Sequence, residues 1–333
     1  MTTRRSFLKS AAAMVALSLG GPVAAQTAEP TRVVATFSIL GDMVERIGGE
    51  FVNVTTLVGP DGDAHVYQPT PAAARSVSEA QVLVVNGLEF EGWLDRLVDA
   101  SDFDGARVVA TTGIEPIAFE DDHHDDHDDH DHHDDHGDEH AKDAHHDDHD
   151  DHDDHHHGAF DPHAWQSLRN AVIYVDNITA ALAQADPENA ATFYQNRAAY
   201  VAEIEALDAE IRAIVAELPA DRRTVVTSHD AFQYFGRDYG LTFLAPQGLS
   251  TESEASAQDV AHLIEQMRDQ GISAVFIENI ADSRLLQQIA NETGATIGGT
   301  LYPGALSGPD GPAPTYLDMM RHNAKTLAQA LGS

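Results

Sequence analysis

Eight short runs of apolar or β-branched residues, four on each side of a long stretch that no Gly or Pro interrupts after Pro187, constrain this 333-residue chain more than any other feature. The runs lie at 33–39, 52–58, 82–86 and 108–111 in the first half and at 224–227, 241–245, 274–277 and 296–299 in the second, with helical patterns between them. Runs that stay apolar instead of alternating belong to strands buried on both faces, as in parallel sheets covered by helices. The stretch between the two sets, about 187–218, places Val201, Ile204, Leu207, Ile211, Ile214, Val215 and Leu218 at helical spacing and is closed by Pro219. At 1.5 Å per residue it makes a rod roughly 45 Å long. The expected fold is α/β: two lobes, each with its own core and a parallel β-sheet flanked by helices, joined by one long rigid helix. The expected bounds are an N-terminal lobe over 30–186, the linker helix over 187–219 and a C-terminal lobe over 222–333. Ligands of such folds bind at the carboxyl ends of the strands, here in the cleft between lobes.

One segment cannot join either core. Residues 120–157 carry 19 of the 55 acidic residues and 15 of the 20 histidines, and supply half of the net charge of −36. With almost nothing apolar to bury and strong self-repulsion, a loop over 120–158 is expected to be disordered. Imidazole is a good donor to Zn(II), Cu(II) and Ni(II), and the interleaved aspartates raise the local cation concentration. The tract therefore reads as an array of weak, interchangeable metal sites: His123, His124, His127, His130, His132, His133, His136, His140, His145, His146, His149, His152, His155, His156 and His157. A merely solvated acidic linker has no reason to be so rich in imidazole.

The first residues carry Arg4-Arg5, then an apolar stretch over 11–19 and the small-residue segment Val23-Ala24-Ala25. This reads as a twin-arginine signal peptide over 1–25, so the mature chain is expected to be soluble and periplasmic. The apolar stretch is about half of the roughly 20 residues that a membrane span needs. The chain has no cysteine, which excludes disulfides and thiolate ligands and leaves His, Asp and Glu for any strong metal site.

Five histidines lie outside the tract. His262 and His322 fall inside amphipathic helical patterns and read as ordinary helix residues. The other three stand where a ligand should. His65 is in the Gly-, Pro- and Asp-rich loop after the run at 52–58, a composition that lets the backbone turn toward the cleft. His163 follows Asp161-Pro162, which can open a helix with Asp161 as its cap. His229 ends the run at 224–227. The last loop, 302–311, offers Asp310 as its only carboxylate. Three imidazoles and one carboxylate suit tetrahedral or near-tetrahedral Zn(II).

Five segments carry a resemblance to a known family: GPDGDAHVYQPTP (59–71), DPHAW (161–165), VTSHDAF (226–232), LSTESEASA (249–257) and LYPGALSGPDGPAPTYLDMM (301–320). In content and order they resemble the periplasmic solute-binding receptors of zinc and manganese ABC transporters, the cluster A-I metal-binding proteins, over nearly all of the mature chain except the tract. The resemblance implies His65, His163, His229 and Asp310 as metal ligands, and a His- and acid-rich insertion where the tract lies. The chain departs from the family in having Asp63-Ala64 where Asp-Pro often precedes the first histidine. At the third ligand position, manganese-associated members typically carry Glu and this chain has His229, a donor better matched to Zn(II).

The function so implied is high-affinity capture of Zn(II) and delivery to a membrane permease driven by a cytoplasmic ATPase. Zn(II) is then the transported ligand, and the receptor acts as a monomer with no nucleic-acid partner. A manganese receptor of the same family is the first alternative. A periplasmic zinc buffer or metallochaperone would use the same residues, and a separate periplasmic zinc metallochaperone would be a loading partner. A metalloenzyme is the least expected, because four protein ligands leave little room for substrate and neither HExxH nor a nucleophile elbow is present.

Overall fold

The computed structural model describes residues 29–118 and 160–332. The expected signal peptide and the Asp/His tract fall outside the described residues. Two four-stranded parallel sheets are present. The first runs in the order β2-β1-β3-β4, with β1 at Thr31–Phe37, β2 at Val52–Val58, β3 at Val82–Val85 and β4 at Ala106–Val109. The second repeats that order as β6-β5-β7-β8, with β5 at Thr224–Val226, β6 at Thr242–Leu244, β7 at Ala274–Glu278 and β8 at Thr296–Leu301. All eight expected strands are found. The first ends two residues early, since Ser38 and Ile39 already belong to the following helix.

Helices α1 (Ser38–Gly48), α2 (Pro71–Glu79), α3 (Leu94–Ser101) and α4 (Leu168–Ala185) belong to the first lobe, and α6 (Gln233–Tyr239), α7 (Ala257–Gln270), α8 (Arg284–Thr293) and α9 (Tyr316–Leu331) to the second. Their ends follow from local chemistry. Thr70, Ser167, Ser256 and Thr315 each accept a hydrogen bond from a backbone N–H of the first turn of α2, α4, α7 and α9. Gly240, Gly271 and Gly294 take the left-handed conformation just past α6, α7 and α8, where a Cβ would be strained. Among the described residues, no helix is long and apolar enough to cross a membrane.

The long helix α5 spans Ala190–Ala216, slightly shorter at both ends than its sequence pattern. Its 27 residues make a rod about 40 Å long, and it packs on α1 and α4 of one lobe and on α6 and α9 of the other. The lobes do not have wholly separate cores, contrary to the sequence expectation. One continuous cluster runs from Phe37, Met43 and Trp165 through Tyr200 and Ile204 of α5 to Phe232, Phe243, Tyr316 and Met319. A smaller cluster built on Val226, Leu263, Met267, Val275 and Ile289 fills the other face of the second sheet. The physical reason is the rod itself, whose buried residues face both lobes and merge their interiors.

Polar bonds also cross between the lobes. The Asp42 carboxylate of α1 accepts the backbone N–H of Tyr316 at the start of α9 (3.0 Å), and the Leu306 N–H donates to Ser38 Oγ (3.0 Å). Burial raises the Asp42 pKa to about 6, against the opposing pull of the Tyr316 N–H and Arg46. A carboxyl whose pKa is raised on folding stabilises the fold at low pH, and this stabilisation is lost as pH rises from about 4 through 6. Asp42→Asn should therefore flatten that part of the stability profile of the metal-free protein, by about 2 to 3 kcal/mol between its ends. Denaturant titrations at pH 4 and 7 measure this, and an identical profile in the variant would refute it.

Candidate metal centre

The two sheets present the carboxyl ends of their strands to a common cleft, and three histidines from separate segments meet there. His65 sits in the loop after β2, His163 before the short 3-10 turn Ala164–Gln166 that leads into α4, and His229 directly after β5. One ring nitrogen from each lies within 4.8 Å of the others, and among the described residues no other group of three or more His, Asp or Glu is placed to hold an ion. His163 Nε2 is 3.2 Å from His65 Nε2. Two imidazoles bound to one tetrahedral ion at about 2.05 Å would place their nitrogens roughly 3.3 Å apart. His163 and His229 are fully buried and His65 is partly so.

Carboxylates fix how two of the rings point. His163 Nδ1 lies 2.9 Å from Asp161 Oδ1, and the same oxygen accepts the His163 backbone N–H. His229 Nδ1 lies 2.6 Å from Glu278 Oε2, while Glu278 Oε1 accepts the N–H groups of Ser228 and His229. With Nδ1–H donated to a carboxylate, Nε2 carries the lone pair and faces the centre. His229 Nε2 is buried with no hydrogen-bond partner, as suits a nitrogen whose lone pair serves a metal ion. The His65 loop is held differently: Asp63 Oδ1 accepts the His65 backbone N–H (2.9 Å) and Asp63 Oδ2 accepts the Thr251 hydroxyl of the other lobe (2.5 Å).

The structure differs from the sequence expectation at two points. Asp161 does not cap a helix; it shapes the turn before His163, and Ser167 caps α4 instead. Asp310 is not among the converging groups. It is exposed in a turn closed by the Gly311 N–H to the Gly308 carbonyl, and Ser307 bonds to Ala313 across the base of that turn. The part of the loop that is buried, 302–307, contains no carboxylate, and its Pro303 carbonyl is taken by Trp165 Nε1 (2.8 Å) and Gln166 Nε2 (2.6 Å). His262 lies in α7, and His322 in α9 bonds the Thr300 carbonyl, so neither approaches the site. Glu278 escaped the sequence reading, although a carboxylate directly after the apolar run at 274–277 occupies the same kind of strand end as His229.

The electrostatics favour a cation. Burial, reinforced by the neighbouring imidazoles, holds His65 and His163 well below the ordinary histidine range. Burial alone would lower His229 as well, but the charge and hydrogen bond of Glu278, with Asp63 and Asp230 further off, outweigh it and leave His229 raised. Burial pushes Asp161 up to about 7 and Asp230 to about 6. A divalent ion at the three Nε2 atoms would supply the positive charge that these sequestered carboxylates lack. The fourth tetrahedral position remains for a water or another donor. Beside the site a cavity of about 750 Å³, lined by His65, Tyr67, Phe90, Phe160, Pro162 and Leu249 among others, leads outward.

With this geometry in hand, three comparisons place the chain. The family model described as zinc-uptake complex component A, periplasmic, matches residues 33–330. The chain belongs to that family. Its members are the solute-binding proteins of metal ABC transporters. The iron-binding protein YfeA of Yersinia pestis is 32% identical over 306 residues, which is 92% of this chain and 88% of that one. The manganese-binding lipoprotein MntA of Halalkalibacterium halodurans is 30% identical over 329 residues, 98% and 97% of the two chains. Among solved structures, the Mn-bound S38A mutant of a periplasmic metal-binding protein of Candidatus Liberibacter asiaticus superposes with a TM-score of 0.74 at 32% identity, over 90% of this chain and 99% of that one. The periplasmic zinc-binding protein TroA of Treponema pallidum gives 0.77 at 26%, over 91% and 99%.

Protons compete with the ion for the same nitrogens, and the directions of the pKa values fix the order. His229, raised, takes its proton first as pH falls, from above the ordinary value near 6.5, and His65 and His163 follow well below it. Competition titrations with a chromophoric chelator from pH 8 to 5 should show zinc affinity starting to fall above pH 6.5 and continuing downward. Glu278→Gln should move the onset to lower pH by removing the charge that holds the His229 proton. Affinity independent of pH over that range would contradict the assignment.

Proposed function

We propose that this protein is a periplasmic receptor that captures Zn(II) in the interlobe cleft through His65, His163 and His229 and delivers it to the permease of an ABC transporter. The observation that carries the choice of metal is the donor set: three imidazoles, two of them oriented by carboxylates that do not themselves join the group. Imidazole-rich, low-coordinate sites suit Zn(II), whereas carboxylate-rich sites of higher coordination suit Mn(II). Manganese or iron import is the second reading, and the names of the relatives YfeA and MntA favour it. The carboxylates nearest the ligands, Asp63, Asp161 and Glu278, each hold a ring or a loop in place, which favours a binding role over zinc hydrolysis, where a carboxylate beside the ion acts as general base. A soluble zinc buffer or chaperone would differ from a receptor in not requiring a cognate permease.

The rod α5, the shared core and the interlobe hydrogen bonds support release by movement of loops and a small tilt rather than by wide opening. Bonds at the mouth include the Thr251–Asp63 contact and the Asp61 N–H to the Leu306 carbonyl (2.8 Å). The Asp/His tract fits the role of a collector. Ala118 and Phe160, which flank it, pair as an antiparallel bridge, and Phe160 lines the cavity beside His65. Metal analysis of protein purified without added metal should find about one tightly held zinc ion per chain lacking residues 121–157, and further weakly held ions in the full chain. His229→Glu should lower zinc retention and raise the Mn(II) share, while Asp310→Ala should change neither. Manganese or iron in the wild-type site that excess zinc does not displace would overturn the choice of metal.

A further inference from the structure

The turn after β3, residues 86–92, contains three successive residues with positive φ: Gly87 at 88°, Leu88 at 54° and Glu89 at 60°. Glycine accepts this at little cost, but Leu and Glu each give up roughly 1–2 kcal/mol in the left-handed region. Such backbone persists only where the surroundings over-determine it. The group that does so is the fully buried carboxylate of Glu91. Its Oε1 accepts the Thr36 hydroxyl of β1 (2.6 Å) and the Asn86 N–H (2.7 Å), and its Oε2 accepts the Gly87 N–H (3.2 Å). Asn86 carries the connection onward: its side chain accepts the Tyr174 hydroxyl (2.5 Å) and donates to the carbonyl of Pro162, the residue before His163 (2.9 Å). Phe90, held between the strained residues and Glu91, sets its ring 4.7 Å from His65, 4.8 Å from Trp165 and 5.9 Å from His163.

We propose that Glu91 is a positioning residue of the metal site: it clamps the strained 86–90 turn onto β1, so that Phe90 walls the His65 and His163 rings into the geometry the ion requires. This rests on the reading that those histidines hold the metal. Glu91 touches no ligand and acts through Phe90 and Asn86. Burial pushes the Glu91 carboxyl upward while its three hydrogen bonds pull it back, so keeping a carboxylate here costs free energy that an apolar filler would not.

The clamp is tested in the mature chain lacking residues 121–157, with Glu91→Gln, the double variant Glu91→Gln with Leu88→Gly, and Thr36→Val. Glu91→Gln keeps the volume but cannot accept all three donors. In metal-free protein, hydrogen exchange of the amides at 86–92 should speed up about tenfold in Glu91→Gln, with the remaining strands unchanged. Zinc release to a chelator should quicken by about tenfold, within the range by which outer-sphere groups alter metal affinity. Adding Leu88→Gly should recover part of the loss, because glycine removes the strain that the clamp opposes; a merely structural role for Glu91 gives no such rescue. Thr36→Val should show a smaller effect of the same sign and serves if Glu91→Gln does not fold. Unchanged exchange in a folded variant overturns the proposal, as does faster exchange with unchanged zinc release. A parent chain that retains no zinc sinks the functional reading, while the exchange data still report whether Glu91 holds the turn.

Discussion

Three imidazoles meet within 4.8 Å of one another in a buried cleft, where burial and mutual proximity disfavour protons on His65 and His163. A proton on His65 or His163 would lack solvation and face the next ring, whereas His229 is made more basic by Glu278 at its far nitrogen, so the three rings direct their inner nitrogens at one point. The rest of the structure serves that condition. Glu278 and Asp161 commit the outward nitrogens of two rings, Asp63 ties down the His65 loop, and Trp165 and Phe90 close the apolar side. A small divalent ion resolves the tension by satisfying the nitrogens and offsetting the surrounding acid together. Binding free energy and local order are thus coupled.

The scaffold explains why the convergence is reproducible. His65, His163 and His229 are separated by 98 and 66 positions along the sequence, yet each follows or precedes an element anchored in one continuous core. The rod α5 contributes to both lobes at once. In the proposed receptor such a build preorganises the site, and cargo would exchange through the loops at the mouth, where Asp61 bonds Leu306 and Asp63 bonds Thr251.

Much of this was legible in the sequence, for identifiable reasons. Continuous apolar runs mark buried parallel strands because both faces demand the same chemistry, and all eight were found. His65 and His229 stood at strand ends, where topology makes ligands converge. Asp310 was grouped with the histidines because composition alone cannot tell which part of a loop is buried: it is the only carboxylate in 302–311, but the loop places it in an exposed turn and turns the carboxylate-free segment inward. The merged core was invisible because helical periodicity reports that a helix is amphipathic and not how many partners share its faces. Glu91 and Glu278 were hidden for a related reason. An acidic residue reads as solvent-facing until the donors that bury it, Thr36 and two backbone amides in one case and a ligand imidazole in the other, are brought alongside by the fold.

The central claim is that three imidazole nitrogens from separate segments bind one ion. X-ray absorption at the metal edge, on zinc-loaded protein lacking residues 121–157 so that tract histidines do not contribute, tests it most directly. The account predicts a first shell of light atoms at about 2.0 Å with outer-shell scattering from three imidazole rings, falling to two in His229→Ala. A spectrum with one imidazole or none, or one that His229→Ala leaves unchanged, would contradict it.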